Sequence, residues 1–298
     1  MNYLVTGGCG FIGSNMADLL IEKGEKVYVI DNLSTGKIEN LNNRSQFYNF
    51  DISDKSNIDI LQSIVSECDF VIHMAAIPNV QQSIDDPVKS HTNNFNSTLN
   101  ILECIRRSSK TKKMVFSSTS AVYGNQEKFP TDENSKINPM SPYALQKLIS
   151  EQYIKMYHDL YGVRSIILRY FNVFGERMTN EGAYKSVISI FKECKEKKKP
   201  LTITNNGEQR RDFVYVKDVV MANYLSCINE KIEYDIFNVG HGSNISINQI
   251  ANYFGGEKEY IGKRIEPFET LSNCDKIKSK LNWEPSTSVE KWINDNIS

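Results

Sequence analysis

Short runs of consecutive apolar residues alternate with longer segments in which apolar residues recur every three or four positions. The short runs are typical of buried strands and the longer segments of amphipathic helices. The predicted strands are Tyr3–Thr6, Val27–Ile30, Phe47–Phe50, Phe70–Met74, Lys113–Ser117 and Ser165–Arg169. The clearest predicted helices are Ser14–Lys23, Asn94–Arg107 and Tyr143–Tyr161. This alternation predicts an α/β protein with a doubly wound parallel sheet covered on both faces by helices.

A glycine-rich segment joins the first predicted strand to the first predicted helix. Gly7, Gly10 and Gly13 are each three residues apart. Glycines allow a tight turn against a pyrophosphate, and the helix that follows offers its N–H groups and the positive end of its dipole. The second strand ends at Asp31, whose carboxylate can accept both hydroxyls of an adenosine ribose and would repel a 2′-phosphate. The segment therefore predicts NAD rather than NADP, with a glycine turn that holds no ligand as the alternative.

Tyr143 and Lys147 are four residues apart in a predicted helix and so share one of its faces. A neighbouring ammonium group favours the phenolate and lowers the pKa of a phenol from its usual value of about 10. Such a phenol suits a general base for a sugar or alcohol hydroxyl near neutral pH. The same spacing also occurs in ordinary exposed helices. The dinucleotide loop earlier in the chain is what favours the catalytic interpretation.

Composition places the chain among ordinary globular proteins. Its 298 residues are 40% hydrophobic and 24% charged, which is enough for one large or two unequal domains. The formal net charge of -1 gives no electrostatic reason to expect nucleic acid or a membrane surface as a partner. No apolar run approaches the roughly 20 residues of a bilayer span. The six cysteines have no paired spacing, so we expect reduced thiols, no metal site and a cytoplasmic enzyme.

Eight segments in a fixed order resemble the extended short-chain dehydrogenase/reductases of the nucleotide-sugar epimerase/dehydratase group. The resemblance runs from Asn2 to about Pro285. The matching segments are Thr6–Gly13, Asp31–Gly36, Asp51–Ile52, His73–Ala76, Ser117–Gly124, Tyr143–Lys147, Arg169–Gly175 and Arg211–Phe213. Such a set is specific for the superfamily and less specific for the reaction.

The resemblance implies a bound NAD. Its contacts would come from Gly7, Gly10, Phe11, Ile12, Gly13, Asp31, Asn32, Ser34, Thr35, Gly36, Asp51, Ile52, Ala75, Ala76, Asn94, Tyr143 and Lys147. Asp51 and Ile52 would contact the adenine, although an Asp at this point can equally cap the next turn. Asn94 would brace the sheet near the cofactor. Lys147 would bond the nicotinamide ribose and also hold down the pKa of Tyr143.

The resemblance also implies the catalytic residues Thr119, Tyr143 and Lys147. Thr119 aligns with the Ser or Thr that bonds the reacting hydroxyl, although a run of hydroxyl residues can also form a turn or a cap. Related 4,6-dehydratases carry Asp-Glu directly after this Thr, whereas the chain has Ser120-Ala121. Dehydration is therefore disfavoured, and so is decarboxylation, because decarboxylating relatives usually carry Glu at the position of Ala121.

The implied substrate is a nucleotide-diphosphate sugar. Its contacts would come from Thr119, Asn172, Val187, Arg211 and Ser272. Arg211 would clamp the diphosphate, with a salt bridge to adjacent acids as the alternative. Ser272 falls where related 4-epimerases carry either a bulky aromatic or a small residue. We expect the serine to leave room for an N-acetyl group and to offer it a hydrogen bond, unless it is a surface loop serine. Arg264 is offset by one residue from the second arginine of the family.

The resemblance further implies two lobes and a homodimer. Residues 1–170 with about 216–241 would form the NAD-binding domain, and about 171–215 with 242–298 the nucleotide-sugar lobe. The dimer would form through four helices, two of them the Tyr143 helix and the Asn94–Arg107 helix. The apolar stripes of these helices could equally be core.

Two reactions share the predicted catalytic residues. In a 4-epimerase, Tyr143 takes the proton of the sugar 4-hydroxyl while hydride passes to NAD; the 4-keto sugar then turns and receives the hydride on its other face. A nucleotide-sugar 4-dehydrogenase would instead release the keto sugar and exchange its cofactor. Segments Asn172–Gly175 and Asn180–Tyr184 most resemble bacterial epimerases of UDP-hexoses or their N-acetyl forms, which favours the first reaction. A non-catalytic NAD-sensing scaffold is disfavoured because all three catalytic residues are present.

Overall fold

The computed structural model describes residues 1–178, 186–262 and 267–297. The strands in these ranges are β1 (Asn2–Thr6), β2 (Lys26–Ile30), β3 (Gln46–Tyr48), β4 (Phe70–His73), β5 (Lys113–Thr119), β6 (Ser165–Tyr170), β7 (Asn172–Phe174), β8 (Leu201–Thr204), β9 (Arg210–Tyr215), β10 (Tyr234–Val239), β11 (Asn244–Ser246) and β12 (Lys258–Ile261). The α-helices are α1 (Phe11–Glu22), α2 (Ile58–Ser66), α3 (Val80–Asp85), α4 (Pro87–His91), α5 (Ser97–Arg107), α6 (Pro142–Tyr161), α7 (Val187–Glu196), α8 (Val216–Ile228), α9 (Ile247–Phe254), α10 (Asp275–Leu281) and α11 (Val289–Asn296).

Seven strands form the central sheet in the order β10-β6-β5-β4-β1-β2-β3, and every neighbouring pair is parallel. The direction of the strand order reverses between β1 and β4. At such a switch point the loops at the carboxyl ends of the strands diverge and leave a crevice for a ligand. The predicted α/β class with a doubly wound parallel sheet is confirmed.

Both faces of this sheet are buried, which explains why its strands are continuous apolar runs rather than alternating ones. Tyr3 and Val5 of β1 join one core cluster, whereas Leu4 between them joins another. The first cluster contains side chains of α1 and α8, such as Met16 and Val220. The second contains side chains of α2, α5 and α6. The helices are therefore layered on the two sides of the strands.

The remaining strands form two small sheets with a core of their own. β7 pairs with β9 in parallel, β11 pairs with β9 in antiparallel, and β8 pairs with β12. Their apolar side chains pack with α7, α9 and α11 in a third cluster that includes Phe191, Phe213 and Trp292. The chain leaves the central sheet after β6 and returns to it with β10. The proposed division into two lobes depends on this path, and its boundaries stay a prediction.

Each of the six predicted strands lies at or within two residues of its expected bounds, with β3 ending at Tyr48 rather than Phe50. The predicted helix from Asn94 is different at its start: Thr92–Asn96 is a π-helical turn, and α5 begins only at Ser97. A π-helical turn is rare, and where one interrupts an α-helix it is frequently at a functional site. Within the described ranges, no helix has the length and apolar character needed to cross a membrane.

Candidate active site

The loop between β1 and α1 closes tightly because its glycines have no side chains. Gly7 has a φ of +70°, and a Cβ there would lie 2.9 Å from the backbone of Ala75. A Cβ on Gly13 would lie 2.1 Å from the carbonyl oxygen of Gly7. Gly10 precedes α1 without a side-chain cap, so the first N–H groups of the helix, from Phe11 onward, have no capping side chain in front of them. This backbone can cradle the pyrophosphate of a dinucleotide.

The Asp31 carboxylate is fixed at the end of β2 by two backbone donors. The N–H of Cys9 donates to Oδ2 at 2.9 Å and that of Leu33 to Oδ1 at 2.8 Å. A Cβ on Gly36 would lie 2.9 Å from Oδ2, so only glycine lets the chain pass this close. Each carboxylate oxygen can still accept another bond. The predicted contact with the ribose fits this placement and stays a prediction.

Asp51 caps a turn, as the alternative interpretation allowed, and also bonds a second predicted cofactor residue. The backbone N–H and the hydroxyl of Ser53 donate to its Oδ1 at 2.8 and 2.7 Å. Asn32 donates through Nδ2 to its Oδ2 at 3.0 Å. The carbonyl of the buried Ile52 accepts from Asn100 at 2.8 Å. The two predicted loop residues that are exposed are Ser34 and Thr35. The adenine contact stays a prediction.

A buried polar network joins β1 to β4 at the switch point. Thr6 Oγ1 accepts from the backbone N–H groups of Met74 and Ala75 at 3.2 Å, so its own hydrogen is donated to Nδ1 of His73, 2.7 Å away. His73 therefore carries its proton on Nε2, which faces Thr98 Oγ1 at 3.1 Å. Burial lowers the pKa of His73 to about 3. The imidazole is a neutral structural group that holds the end of β4 in place.

Asn94 holds the loop that follows β4 against the helix α6. Its Oδ1 accepts from the backbone N–H of Ile77 at 2.7 Å, and its Nδ2 donates to Oε1 of Gln146 at 2.8 Å. The same loop carries Ala75 and Ala76, two of the predicted cofactor contacts. Asn94 was predicted to brace the sheet. Its side-chain bonds go to the loop, to α6 and to Ser90 of α4, and its supporting role stays a prediction.

The candidate catalytic pair lies in the first turns of α6, which begins after the side-chain cap Ser141. Tyr143 and Lys147 are 9% and 2% exposed, and they share one face of the helix. Lys147 Nζ donates to the carbonyl oxygen of Ser117 at 2.8 Å and lies 4.6 Å from the centre of the Phe116 ring. Burial lowers the pKa of Lys147 to about 7. The amine is thus held against the end of β5.

Thr119, the third predicted catalytic residue, is the last residue of β5. Its Oγ1 accepts from the backbone N–H of Ala121 at 3.1 Å and so caps the turn Ser120–Tyr123. A small cavity opens beside this turn, and its walls include Ser120, Phe171 and Thr270. Ser120 and Ala121, the two positions where dehydratases have acids, carry no carboxylate, and the one acid among the residues that line this cavity is Glu269.

The predicted phosphate-side residues lie on two paired strands, since Asn172 in β7 is opposite Phe213 in β9. Asn172 Nδ2 donates to the carbonyl of Asp212 at 2.9 Å. Arg211, 9% exposed, donates from Nη1 to the carbonyl of Phe268 at 3.2 Å. Asn172 and Arg211 therefore belong to the same three-stranded sheet, β11-β9-β7. Their contacts with a diphosphate stay a prediction.

Val187 is the first residue of α7 and packs against the third core cluster. Segment Asn180–Tyr184 and Arg264, which contributed to the sequence predictions, lie outside the described residues.

Ser272 is buried, and its hydroxyl is already hydrogen-bonded within the protein. It is 2% exposed, its hydroxyl donates to Asp212 Oδ2 at 2.5 Å, and its backbone N–H donates to the same oxygen at 2.9 Å. A Cβ on Gly240 would lie 2.2 Å from its Oγ. These contacts argue against the expected hydrogen bond to an N-acetyl group, and a sugar contact of Ser272 stays a prediction. Thr270, two residues earlier, lines the cavity beside Ser120.

A buried ion pair that was not predicted from the sequence lies on the same helix as the candidate catalytic pair. Arg169 of β6 donates through Nε and Nη2 to the two carboxylate oxygens of Glu151 at 3.0 and 2.6 Å. Ser118 also donates to this carboxylate, at 2.5 Å. The only sequence signal was that Glu151 follows Tyr143 and Lys147 at the same spacing of four. Arg169 begins the segment Arg169–Gly175, and nothing in that segment indicates Glu151 as its partner in an ion pair.

The arrangement combines a dinucleotide cradle after β1 with a phenol and an amine on α6 and a hydroxyl at the end of β5. Such a set can remove a proton from an alcohol while the dinucleotide takes up hydride. No group of three or more His, Cys, Asp or Glu side chains able to hold a metal ion occurs in the described part of the chain.

Known proteins resemble this chain over nearly its whole length. The family model described as "NAD dependent epimerase/dehydratase family" matches residues 3–240. A putative UDP-glucose 4-epimerase of Methanocaldococcus jannaschii is 41% identical over 97% of the chain and 95% of the relative. The crystal structure of Thermotoga maritima UDP-glucose 4-epimerase with UDP-glucose has a TM-score of 0.94 and 36% identity, covering 100% of this chain and 97% of that one. The UDP-N-acetylglucosamine 4-epimerase of Methanobrevibacter ruminantium, in complex with UDP-N-acetylmuramic acid, has a TM-score of 0.93 and 34% identity over 99% and 96% of the two chains.

Proposed function

The chain belongs to the NAD-dependent epimerase/dehydratase family, and we propose that it is a nucleotide-sugar 4-epimerase acting on a UDP-hexose or a UDP-N-acetylhexosamine. The observation that carries the proposal is that Lys147 of α6 donates to the carbonyl of Ser117 near the end of β5, where Thr119 is the last residue and is followed by Ser120 and Ala121 rather than by acids. The similar proteins named above are 4-epimerases of UDP-glucose and UDP-N-acetylglucosamine, which supports this reaction and this nucleotide.

NAD is the cofactor, and the residues of the β1–α1 loop fit it. A side chain on Gly13 would meet the Gly7 carbonyl, so the cradle exists only because these positions are glycine. We infer that this loop and the start of α1 hold the pyrophosphate and that Asp31 accepts the adenosine ribose hydroxyls. When bound, NAD supplies reversible uptake of hydride from carbon 4 of the sugar.

Tyr143 moves the proton in this proposal. As phenolate it accepts the proton of the sugar 4-hydroxyl, and it returns the proton after the keto sugar has turned. Thr119 bonds the reacting oxygen and orients it toward Tyr143. Lys147, anchored to the Ser117 carbonyl, supplies the positive charge that favours the phenolate. Arg211 would clamp the diphosphate and Asn172 would contact its sugar side while the sugar turns, and Val187 would be a further substrate contact.

One incubation separates this reaction from its alternative, a 4-dehydrogenase of UDP- or GDP-sugars. The protein is mixed with UDP-glucose, UDP-N-acetylglucosamine or a GDP-hexose, products are separated, and the NADH band is followed. A C4 isomer without free NADH supports the epimerase. A released keto sugar with stoichiometric NADH would instead identify a dehydrogenase, and no turnover of any sugar would remove both.

We also propose a cytoplasmic homodimer formed through α5 and α6. Support comes from exposed apolar side chains of α6, among them Leu145, Met156 and Leu160, and from six free cysteines. Light scattering at micromolar concentration tests the assembly, and a mass of one chain would contradict it.

A further inference from the structure

The ion pair of Glu151 and Arg169 is almost completely removed from solvent. Their side chains are 3% and 4% exposed, and the guanidinium meets the carboxylate through two parallel bonds. Removing two charges from water is costly, and well-packed apolar residues often replace such a pair without loss of stability. Stability alone therefore does not explain why this pair is present.

Glu151 is on the same face of α6 as the candidate catalytic pair. Tyr143, Lys147 and Glu151 follow one another at intervals of four residues. Two adjacent residues of β5 bond to this face: the carbonyl of Ser117 accepts from Lys147 at 2.8 Å, and the hydroxyl of Ser118 donates to Glu151 at 2.5 Å. These two bonds fix the register between the helix and the end of the strand.

Arg169 makes a second connection on the other side of Thr119. Its Nη1 donates to the hydroxyl of Tyr123 at 2.9 Å, and its guanidinium carbon lies 4.9 Å from the centre of that ring. The Tyr123 hydroxyl in turn donates to Asn238 of β10 at 2.7 Å. Tyr123 ends the short turn that Thr119 caps. The residue before Thr119 and the turn after it are thus both bonded to one ion pair.

We propose that Glu151 and Arg169 are positioning residues of the epimerase reaction, which hold Thr119 at a fixed place relative to Tyr143 through Ser118 and Tyr123. The inference rests on the proposed function. Neither residue touches the reacting atoms. Their effect is on the alignment of the two groups that bond the sugar hydroxyl, so it belongs to the chemical step rather than to substrate binding.

The test replaces the pair by apolar residues of similar size, Glu151→Leu with Arg169→Met. The double variant is expected to keep its thermal unfolding midpoint and bound NAD, because no unpaired charge is left. Its kcat is expected to fall by about ten- to a hundredfold, the usual effect of a small misplacement, while KM stays within about twofold. Lys155→Gln is the matched control, since it breaks a half-exposed ion pair with Asp159 on the same helix; its kcat should match that of the wild type.

A folded double variant with wild-type kcat would overturn the proposal, because the pair would then be only structural. Should that variant fail to fold, Ser118→Ala is tested in its place. This substitution removes the hydrogen bond from Ser118 to Glu151 and leaves the ion pair intact. A fall in kcat at constant KM and constant unfolding midpoint supports positioning, and an unchanged kcat refutes it. The wild type is assayed first. If it leaves every C4 epimer unchanged, the proposed function fails and this inference with it.

Discussion

At the level of single residues, the proposed proton transfer needs two side chains whose charge states are coupled. Tyr143 must give up a proton near neutral pH, and Lys147 must remain a cation to favour that loss. Yet Lys147 is 2% exposed, and burial lowers its pKa to about 7. Burying the amine therefore lowers the stability of the folded protein, and strongly shifted pKa values of this kind are common among catalytic groups.

Tyr143→Phe should preserve the fold and NAD binding and lower kcat by roughly two to four orders of magnitude, the usual contribution of general acid–base catalysis. The comparison is steady-state epimerisation of a UDP-hexose by both proteins, with NAD content measured on the same samples. Near-normal turnover by the variant would remove Tyr143 from the mechanism.

Lys147→Met should inactivate the protein and make it more stable near neutral pH. The unfolded chain keeps lysine protonated up to a pKa of about 10.4, whereas the folded protein releases that proton at a pKa of about 7. Between these values the unfolded state binds more protons, so the stability of the wild type rises with pH across this window. The variant lacks this dependence. Thermal unfolding from pH 7 to 9 measures the difference between the two proteins, and parallel curves would show that the amine is not desolvated as described.

At the scale of elements, the β1–α1 loop was predictable and the ion pair was not. Spacing of Gly7, Gly10 and Gly13 is a local signal, since the loop needs those positions free of side chains. Glu151 and Arg169 are 18 residues apart on different elements, and only the packing of α6 on the sheet shows that they meet. The contacts of Ser272 were missed for a related reason, because its partner Asp212 is 60 residues away.

Gly13→Ala tests the loop as an element. The added Cβ would lie 2.1 Å from the Gly7 carbonyl oxygen, so the turn must open. We expect a loss of stability of about 1–3 kcal/mol, typical of overpacking, together with loss of bound NAD. Gly262→Ala is the control, since no atom of the described residues lies within 4 Å of its added Cβ. Thermal unfolding with and without added NAD compares the two variants; a Gly13→Ala protein that NAD stabilises as much as the wild type would contradict the proposed cradle.

At the scale of the whole molecule, the parallel sheet brings the site together from distant parts of the chain. The β1–α1 loop, the end of β4 and the end of β5 meet because their strands are neighbours in the order β1, β4, β5. The C-terminal segment is attached to this frame by Asp218, which accepts from the backbone N–H and the hydroxyl of Ser286 at 2.9 and 2.6 Å. The alternation of strands and helices was sufficient to predict the sheet, whereas the small sheets around β9 needed the structure because their strands are short and their pairing is not sequential.

The central claim is that hydride leaves carbon 4 of the sugar and returns to the same carbon within one site. Its most direct test is a UDP-hexose carrying deuterium at carbon 4, incubated with the protein until the two epimers reach equilibrium and then analysed by mass spectrometry and NMR. The new epimer is expected to keep its deuterium at carbon 4, and no free NADH should appear. Loss of the deuterium to solvent, or its release as reduced cofactor with a keto sugar, would contradict it.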